Sequence, residues 1–226
     1  MSDFVFAPPA TPSLSIAGTA QRFAVRRIWC VGRNYAAHAR ELGNDEREPP
    51  FFFSKQPDML VPGGGDIAYP GLTENLHYEG ELVVALKGGG QDVPPEKAAG
   101  LIFGYAPGID MTRRDLQKRM QEKGKPWEIG KSFEQSAPVG TITPSSRVMD
   151  AGAIRLAVNG EVRQDSDLSN MIWSVAEIIA RLSQQVSLAT GDIIFTGTPE
   201  GVGAVVRGDR LRVEIDGLEP LDVTIA

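Results

Sequence analysis

The sequence predicts a mainly β domain with a few helices (α+β), and three observations carry that expectation. Gly (25) and Pro (16) together make 41 of the 226 residues, clustered between short apolar runs. FFFSK (51–55), ELVVAL (81–86), IRLAV (154–158), DIIFTG (192–197) and LRVEI (211–215) are such runs, each of strand length. Asn159-Gly160 joins IRLAV to EVRQD and is a strong signal for a type I′ hairpin.

Along the chain, residues 1–22 are a loosely patterned stretch rich in Pro, Ala, Ser and Thr. They mark 1–27 as a lead-in to a single domain over 28–226. NYAAHAREL (34–42) reads as a helix with Asn34 as its N-cap. TRRDLQKRMQEKG (112–124) reads as another, opened by a Thr112-x-x-Asp115 capping box and closed on Gly124. SVAEIIARLSQQV (174–186) opens with Ser174-x-x-Glu177 and carries Val175, Ile178, Ile179 and Leu182 on one face, as a helix covering a sheet would.

Composition excludes several classes of function. Net charge is −6 and the sequence pI about 5.1, which argues against nucleic acid or an anionic membrane as partner. No run approaches the ~18 apolar residues of a membrane span, and the N-terminus has no signal-peptide pattern, so a cytoplasmic location is expected. The single cysteine, Cys30, rules out an internal disulfide or a Cys-rich zinc site. Gly130-Lys131-Ser132 is not the end of a phosphate-binding loop, because the glycine that loop needs at 125 is Lys125.

LHYEGELVVAL (76–86) places two carboxylates on an apolar strand. Alternation puts Glu79 and Glu81 on one face with Val83 and Ala85, while Tyr78, Leu82, Val84 and Leu86 fill the other. Two like charges a pleat apart in a buried strand are costly unless a cation neutralises them. An edge strand whose glutamates face water is the other reading. His77 is either a partner of these carboxylates or a polar residue at a strand start. Asp110, between LIFGY and the helix at 112, is either a helix cap or a third oxygen ligand. Three carboxylates without Cys or paired His describe a site for a hard ion, Mg²⁺ first, with Mn²⁺ or Ca²⁺ possible.

On the helix 34–42, His38 and Glu41 are three residues apart and share a face. They are either a solvated pair or a base whose tautomer and basicity the glutamate sets.

Seven blocks in order, GRNYAAHARE, FFFSKQPD, HYEGE, GIDMTRRDLQ, GKSFEQSAPVG, VNGEVRQD and GDIIFTGTPEGVG, resemble the fumarylacetoacetate hydrolase superfamily from about residue 28 onwards. DMTRRDLQ, PWEIGKSF and MIWSVAEII resemble its fumarylpyruvate-hydrolysing branch, with the acylpyruvase branch close behind. The resemblance implies a mixed β-sandwich roll, bound Mg²⁺ or Mn²⁺, and a homodimer. It implies Glu79, Glu81 and Asp110 as metal ligands and His38 with Glu41 as a water-activating dyad on a lid helix. Lys55, Gln117 and Lys131 would contact the substrate or its oxyanion, and Thr198 would bind the substrate carboxylate. Arg33 and Arg114 fall inside matched blocks as further substrate contacts. The implied activity is metal-dependent C–C hydrolysis of a 3-acylpyruvate, a small diketo acid. Oxaloacetate decarboxylation, keto–enol isomerisation, or a non-catalytic metal-binding interaction module are the alternatives.

Overall fold

The computed structural model describes residues 4–35 and 48–226. Its centre is an eight-stranded mixed sheet. In spatial order the strands are Phe52–Lys55, Arg27–Val31, Asp192–Phe195, Gly80–Leu86, Ile102–Ile109, Ala137–Val139 and Leu60–Pro62, with Thr143–Pro144 pairing off Ile102–Ile109. A five-stranded sheet covers one face, ordered Glu161–Asp167, Ala153–Val158, Arg210–Ile215, Leu221–Ile225 and Gly65–Ile67.

Period-two alternation separates the two cores. Leu82, Val84 and Leu86 enter the larger one, with Ile154, Leu156 and Val213 of the second sheet and Val175, Ile178, Ile179 and Leu182 of the helix Val175–Gln185. Each of these helix side chains is worth about 1.5–3 kcal/mol by burial, before the entropy of ordering it. Val83 and Ala85 point the opposite way, into a smaller core with Ile193, Phe195, Ile28 and Cys30.

Local chemistry accounts for the turns and caps. Asn159 and Gly160 both have positive φ (52° and 83°), as a type I′ turn demands, and Val158 pairs with Glu161 across it. Ser174 and Glu177 form the expected capping box. In the lead-in, strands Ser13–Ser15 and Arg22–Ala24 pair with each other and send Leu14 and Phe23 into the smaller core.

Two expectations need correction. The helix expected over 112–124 begins at Arg114 and ends at Glu122, and its N-cap, Arg113, makes no side-chain cap. Thr112 is a strand residue whose hydroxyl donates to Asp110 O, while Asp115 accepts from the Thr73 hydroxyl and the Glu74 N–H. Lys131 Nζ also donates to the Thr112 hydroxyl, so tertiary partners engage both members of the expected capping box. The apolar run 76–86 is also two strands, not one. Leu76–Tyr78 pairs with Thr112–Arg113 and Gly203–Val205 in a three-stranded sheet, and Gly80–Leu86 joins the central sheet. Among the described residues no helix is long and apolar enough to cross a membrane.

Candidate active site

The break between those two strands makes the site. Glu79 occupies it, held there by the groups around Gly80. Gln164 Oε1 accepts the Gly80 N–H at 2.9 Å and the Thr198 hydroxyl donates to Gly80 O at 2.9 Å. Side chains therefore hold Gly80 where the chain leaves one sheet for the other. A Cβ at Gly80 would crowd Leu156 and Gln164 at 3.1–3.2 Å.

Gly80 pairs with Ile109, so Asp110 follows the neighbouring strand at the same level, and its N–H donates to Glu79 O at 2.8 Å. Glu81 lies opposite Gly108, where a Cβ would stand only 2.5 Å from Val83 and 2.8 Å from Phe195. One ligand atom from each of Glu79, Glu81 and Asp110 lies within 4.8 Å of the others, and all three residues are buried. The reading of 76–86 as a wet edge strand fails, because Gly80–Leu86 is buried throughout between two partners. Asp110 is not a helix cap, since residues 112–113 form a strand before the helix begins.

Three cations from separate elements converge on the carboxylates. Lys131 Nζ donates to Glu79 Oε2 (2.6 Å), Asp110 Oδ2 (2.7 Å) and Thr112 Oγ1 (2.8 Å). Arg114 bonds the other Glu79 oxygen and reaches Gln117 Oε1 at 2.6 Å. Lys55 Nζ lies 2.9 Å from Asp110 Oδ1, but the alignment is poor and that oxygen accepts no hydrogen bond. Lys55 Nζ donates to the carbonyls of Met111 and Lys131.

These contacts divide the glutamates electrostatically. Burial alone would push the Glu79 carboxyl up, but Lys131 and Arg114 hold it well below the usual range. Burial pushes Glu81 well up, and the charges of Asp110 and Glu79 add to it; Lys131 and the Gly197 N–H oppose them only in part. Burial would lower Lys131, yet Asp110 and Glu79 raise it, so it stays an ammonium. His77 stands aside. Its Nε2 lies 2.9 Å from Asn75 Oδ1, and burial with Arg114 nearby lowers its pKa to about 4, leaving it neutral.

The donor set suits a hard divalent ion. Oxygens that share an ion at about 2.0–2.6 Å must lie within a few ångströms of one another, as these do. Three carboxylates crowd this point, and Glu81 among them is short of positive charge. Both are conditions that a cation at this point would relieve, and a donor set that is all oxygen among the described residues favours Mg²⁺ or Mn²⁺ over zinc.

The remaining expected residues surround this centre unevenly. Gln117 is buried one turn along the helix from Arg114, in close approach to Gly130, whose Cβ would sit 2.7 Å from the Gln117 side chain. Thr198 is buried, and its hydroxyl also accepts from Gln164 Nε2 at 2.8 Å, so its expected part in carboxylate binding sits beside a framework role. Arg33 lines a cleft of about 430 Å³ together with Glu79, Arg114, Gln117 and Lys131. His38 and Glu41 lie outside the described residues. Two further residues frame the site, neither of them expected there from the sequence. Gln164 ties Gly80 to Thr198 and Pro199 O. Asn34, read as a helix cap, directs its side chain to Trp173 and to Thr196 O.

Residues 27–226 match the model of the fumarylacetoacetate (FAA) hydrolase C-terminal family. The chain belongs to the fumarylacetoacetate hydrolase family. Its relatives in this family include a fumarylpyruvate hydrolase of Ralstonia sp., 47% identical over 79% of this chain and 93% of the relative. The mitochondrial oxaloacetate tautomerase of Rattus norvegicus is 42% identical over 85% of this chain and 88% of its own. A crystal structure of fumarylpyruvate hydrolase from Pseudomonas aeruginosa, in complex with Mn²⁺ and pyruvate, superposes with a TM-score of 0.96. It is 55% identical and covers 99% of both chains. The mixed β-sandwich roll of the fumarylacetoacetate hydrolase type is therefore the fold of this chain.

Proposed function

We propose that this fumarylacetoacetate hydrolase family member cleaves the C–C bond of a 3-acylpyruvate, 3-fumarylpyruvate foremost, to give fumarate and pyruvate. The observation that carries the reading is the buried Glu79–Glu81–Asp110 triad with the Lys131 ammonium bonded into it. The likeness to a fumarylpyruvate hydrolase holding Mn²⁺ and pyruvate supports the choice of substrate.

Water must add to the distal ketone, and the bond between that carbon and the pyruvate methylene must then break. The electron pair goes to the methylene, so the leaving group is a carbanion unless delocalised as the enolate of pyruvate. A Mg²⁺ or Mn²⁺ held by Glu79, Glu81 and Asp110 would supply a Lewis-acid charge for the 1-carboxylate and 2-oxo group. Lys131, Gln117 and Lys55 are the donors proposed for the tetrahedral oxyanion, each well-placed donor being worth about 3–4 kcal/mol. His38, backed by Glu41, is proposed to take the proton of the attacking water. Thr198, Arg33 and Arg114 are proposed substrate contacts. The protein is expected to act in the cytoplasm as a homodimer on a small diketo acid.

The oxaloacetate tautomerase among the relatives motivates a second reading, keto–enol exchange or decarboxylation of oxaloacetate at the same centre. An ultraviolet assay with Mg²⁺, comparing fumarylpyruvate, acetylpyruvate and oxaloacetate, separates the two. Turnover of oxaloacetate alone would sink the hydrolase reading. His38→Ala should keep metal binding and lose hydrolysis by orders of magnitude.

A further inference from the structure

The cleft beside the triad has an aromatic wall that the chemistry above does not use. Trp127 packs edge-on against Phe53, with centroids 5.2 Å apart at 71°, and against Phe51, at 6.0 Å and 81°. A cation stands over each phenylalanine. Lys131 Nζ lies 5.3 Å from the Phe53 ring, and the Arg33 guanidinium 5.5 Å from the Phe51 ring. The wall thus runs from the reaction centre at Lys131 to a second positive charge at Arg33.

The backbone fixes both ends of it. Phe51 and Phe53 are two residues apart on an extended segment, so they share a face about 7 Å apart. The Phe51 ring lies where a side chain at position 32 would be, since a Cβ on Gly32 would fall 1.9 Å from it. Trp127 precedes the one-turn helix Glu128–Gly130, which is pressed at Gly130 against Gln117 of the helix Arg114–Glu122. Arg33, Phe51, Phe53, Trp127 and Lys131 all line one cleft.

We infer that Trp127 with Phe51 and Phe53 is the specificity wall for the acyl arm of the substrate, with Arg33 holding a carboxylate at the arm's far end. The inference rests on the acylpyruvase reading above and deepens it. A flat, conjugated arm suits a rigid aromatic slot, and burying it there adds dispersion and area terms that a methyl group cannot recruit. Arg33 offers a planar fork that matches a carboxylate. The preferred substrates are therefore acylpyruvates whose acyl group is unsaturated and ends in a carboxylate. Neither a bulky uncharged acyl group nor acetyl meets both conditions.

The test compares the Mg²⁺-loaded wild type with Trp127→Ala, Trp127→Phe, Arg33→Met and Arg33→Lys, on fumarylpyruvate and on acetylpyruvate. Fumarate binding is measured in parallel by calorimetry. Trp127→Ala and Arg33→Met should lower kcat/KM for fumarylpyruvate about 10- to 100-fold. Their loss on acetylpyruvate should be about tenfold smaller, and fumarate affinity should fall in step with the larger loss. Trp127→Phe and Arg33→Lys should recover part of it. Equal losses on both substrates with unchanged fumarate affinity would overturn the inference and leave the hydrolase reading standing. A wild type that hydrolyses neither diketo acid would overturn both.

Discussion

The Lys131 ammonium lies 2.6 Å from Glu79 Oε2, and both side chains are almost wholly removed from solvent. Neither charge has water to fall back on. Removing the ammonium leaves Glu79 and Asp110 with one fewer counter-charge, and breaking a buried pair in this way costs about 3–5 kcal/mol. Lys131→Met should show that loss in urea unfolding of the metal-free protein. Mn²⁺ should restore part of it, because a cation between the carboxylates replaces the missing charge. Unchanged unfolding in Lys131→Met would mean that the pair does not bear on stability.

Glu81 gives the metal-free protein a pH dependence of opposite sign to that of Glu79. Its folded pKa is raised, chiefly by burial and then by Asp110 and Glu79. The folded state therefore holds the proton longer than the unfolded chain, and stability falls as pH rises from the ordinary carboxylate range towards the raised value. Glu79 is lowered, so its contribution is present above the ordinary carboxylate pKa and is lost as pH falls through the lower folded value. Glu81→Gln keeps an acceptor for the Gly197 N–H and removes the charge. At pH 8 and without metal it should melt higher than the wild type, each 1 kcal/mol recovered appearing as about 2–4 °C. It should also lose most of the stabilisation by Mn²⁺. Wild-type binding of Mn²⁺ should release protons, read by calorimetry in buffers of different ionisation enthalpy.

Gln164 is expected to matter for the site without touching the carboxylates. Its amide bonds Gly80 N–H, Thr198 Oγ1 and Pro199 O, so it joins the two loops that flank Glu79 and Glu81. Gln164→Leu leaves the Gly80 N–H buried without an acceptor, at a cost of about 1–3 kcal/mol. Metal affinity should weaken as well, because the strand break that aims Glu79 is no longer held. A variant with lower stability but native Mn²⁺ affinity would confine Gln164 to the framework.

How much of this was legible in the sequence depended on how local each cause is. The Asn159-Gly160 hairpin and the Ser174–Glu177 capping box are set by residues within a turn of one another, and both formed as read. The break at Glu79 has only Gly80 to mark it within LHYEGELVVAL; Gln164 and Thr198, more than 80 residues away, impose it. The same distance hid Gln164, which stands in EVRQDSD among charged neighbours and looks like a solvent-facing residue. Thr112 and Asp115 matched a capping box in spacing, yet Lys131 and Thr73 claimed their side chains. Charge in an apolar run requires a partner, but alternation alone left Glu79 and Glu81 open to an edge-strand reading and Asp110 to a helix cap. It is the family resemblance that names the three together, and the structure brings them together.

The turn at Gly197 joins the frame to the acidic triad and supplies the sharpest test of that coupling. Gly197 has φ +94°, a left-handed conformation that side chains rarely adopt. Its N–H donates to Glu81 Oε2 at 2.6 Å, so the same residue that needs the unusual backbone also aims the Glu81 carboxylate. A Cβ here would stand 2.7 Å from Asn34 Cβ. Asn34 cannot easily retreat, since its amide is bonded to Thr196 O at 2.8 Å and to Trp173 N–H and O at 2.7 and 2.9 Å. Gly197→Ala combines about 1–2 kcal/mol of backbone strain with about 1–3 kcal/mol of overpacking. The chain can relieve both only by rotating the peptide that holds Glu81. The expected result is a lower melting temperature together with weaker Mn²⁺ binding. If Mn²⁺ affinity stayed native while stability fell, the Gly197 N–H would be dispensable for aiming Glu81, and the turn would serve packing alone.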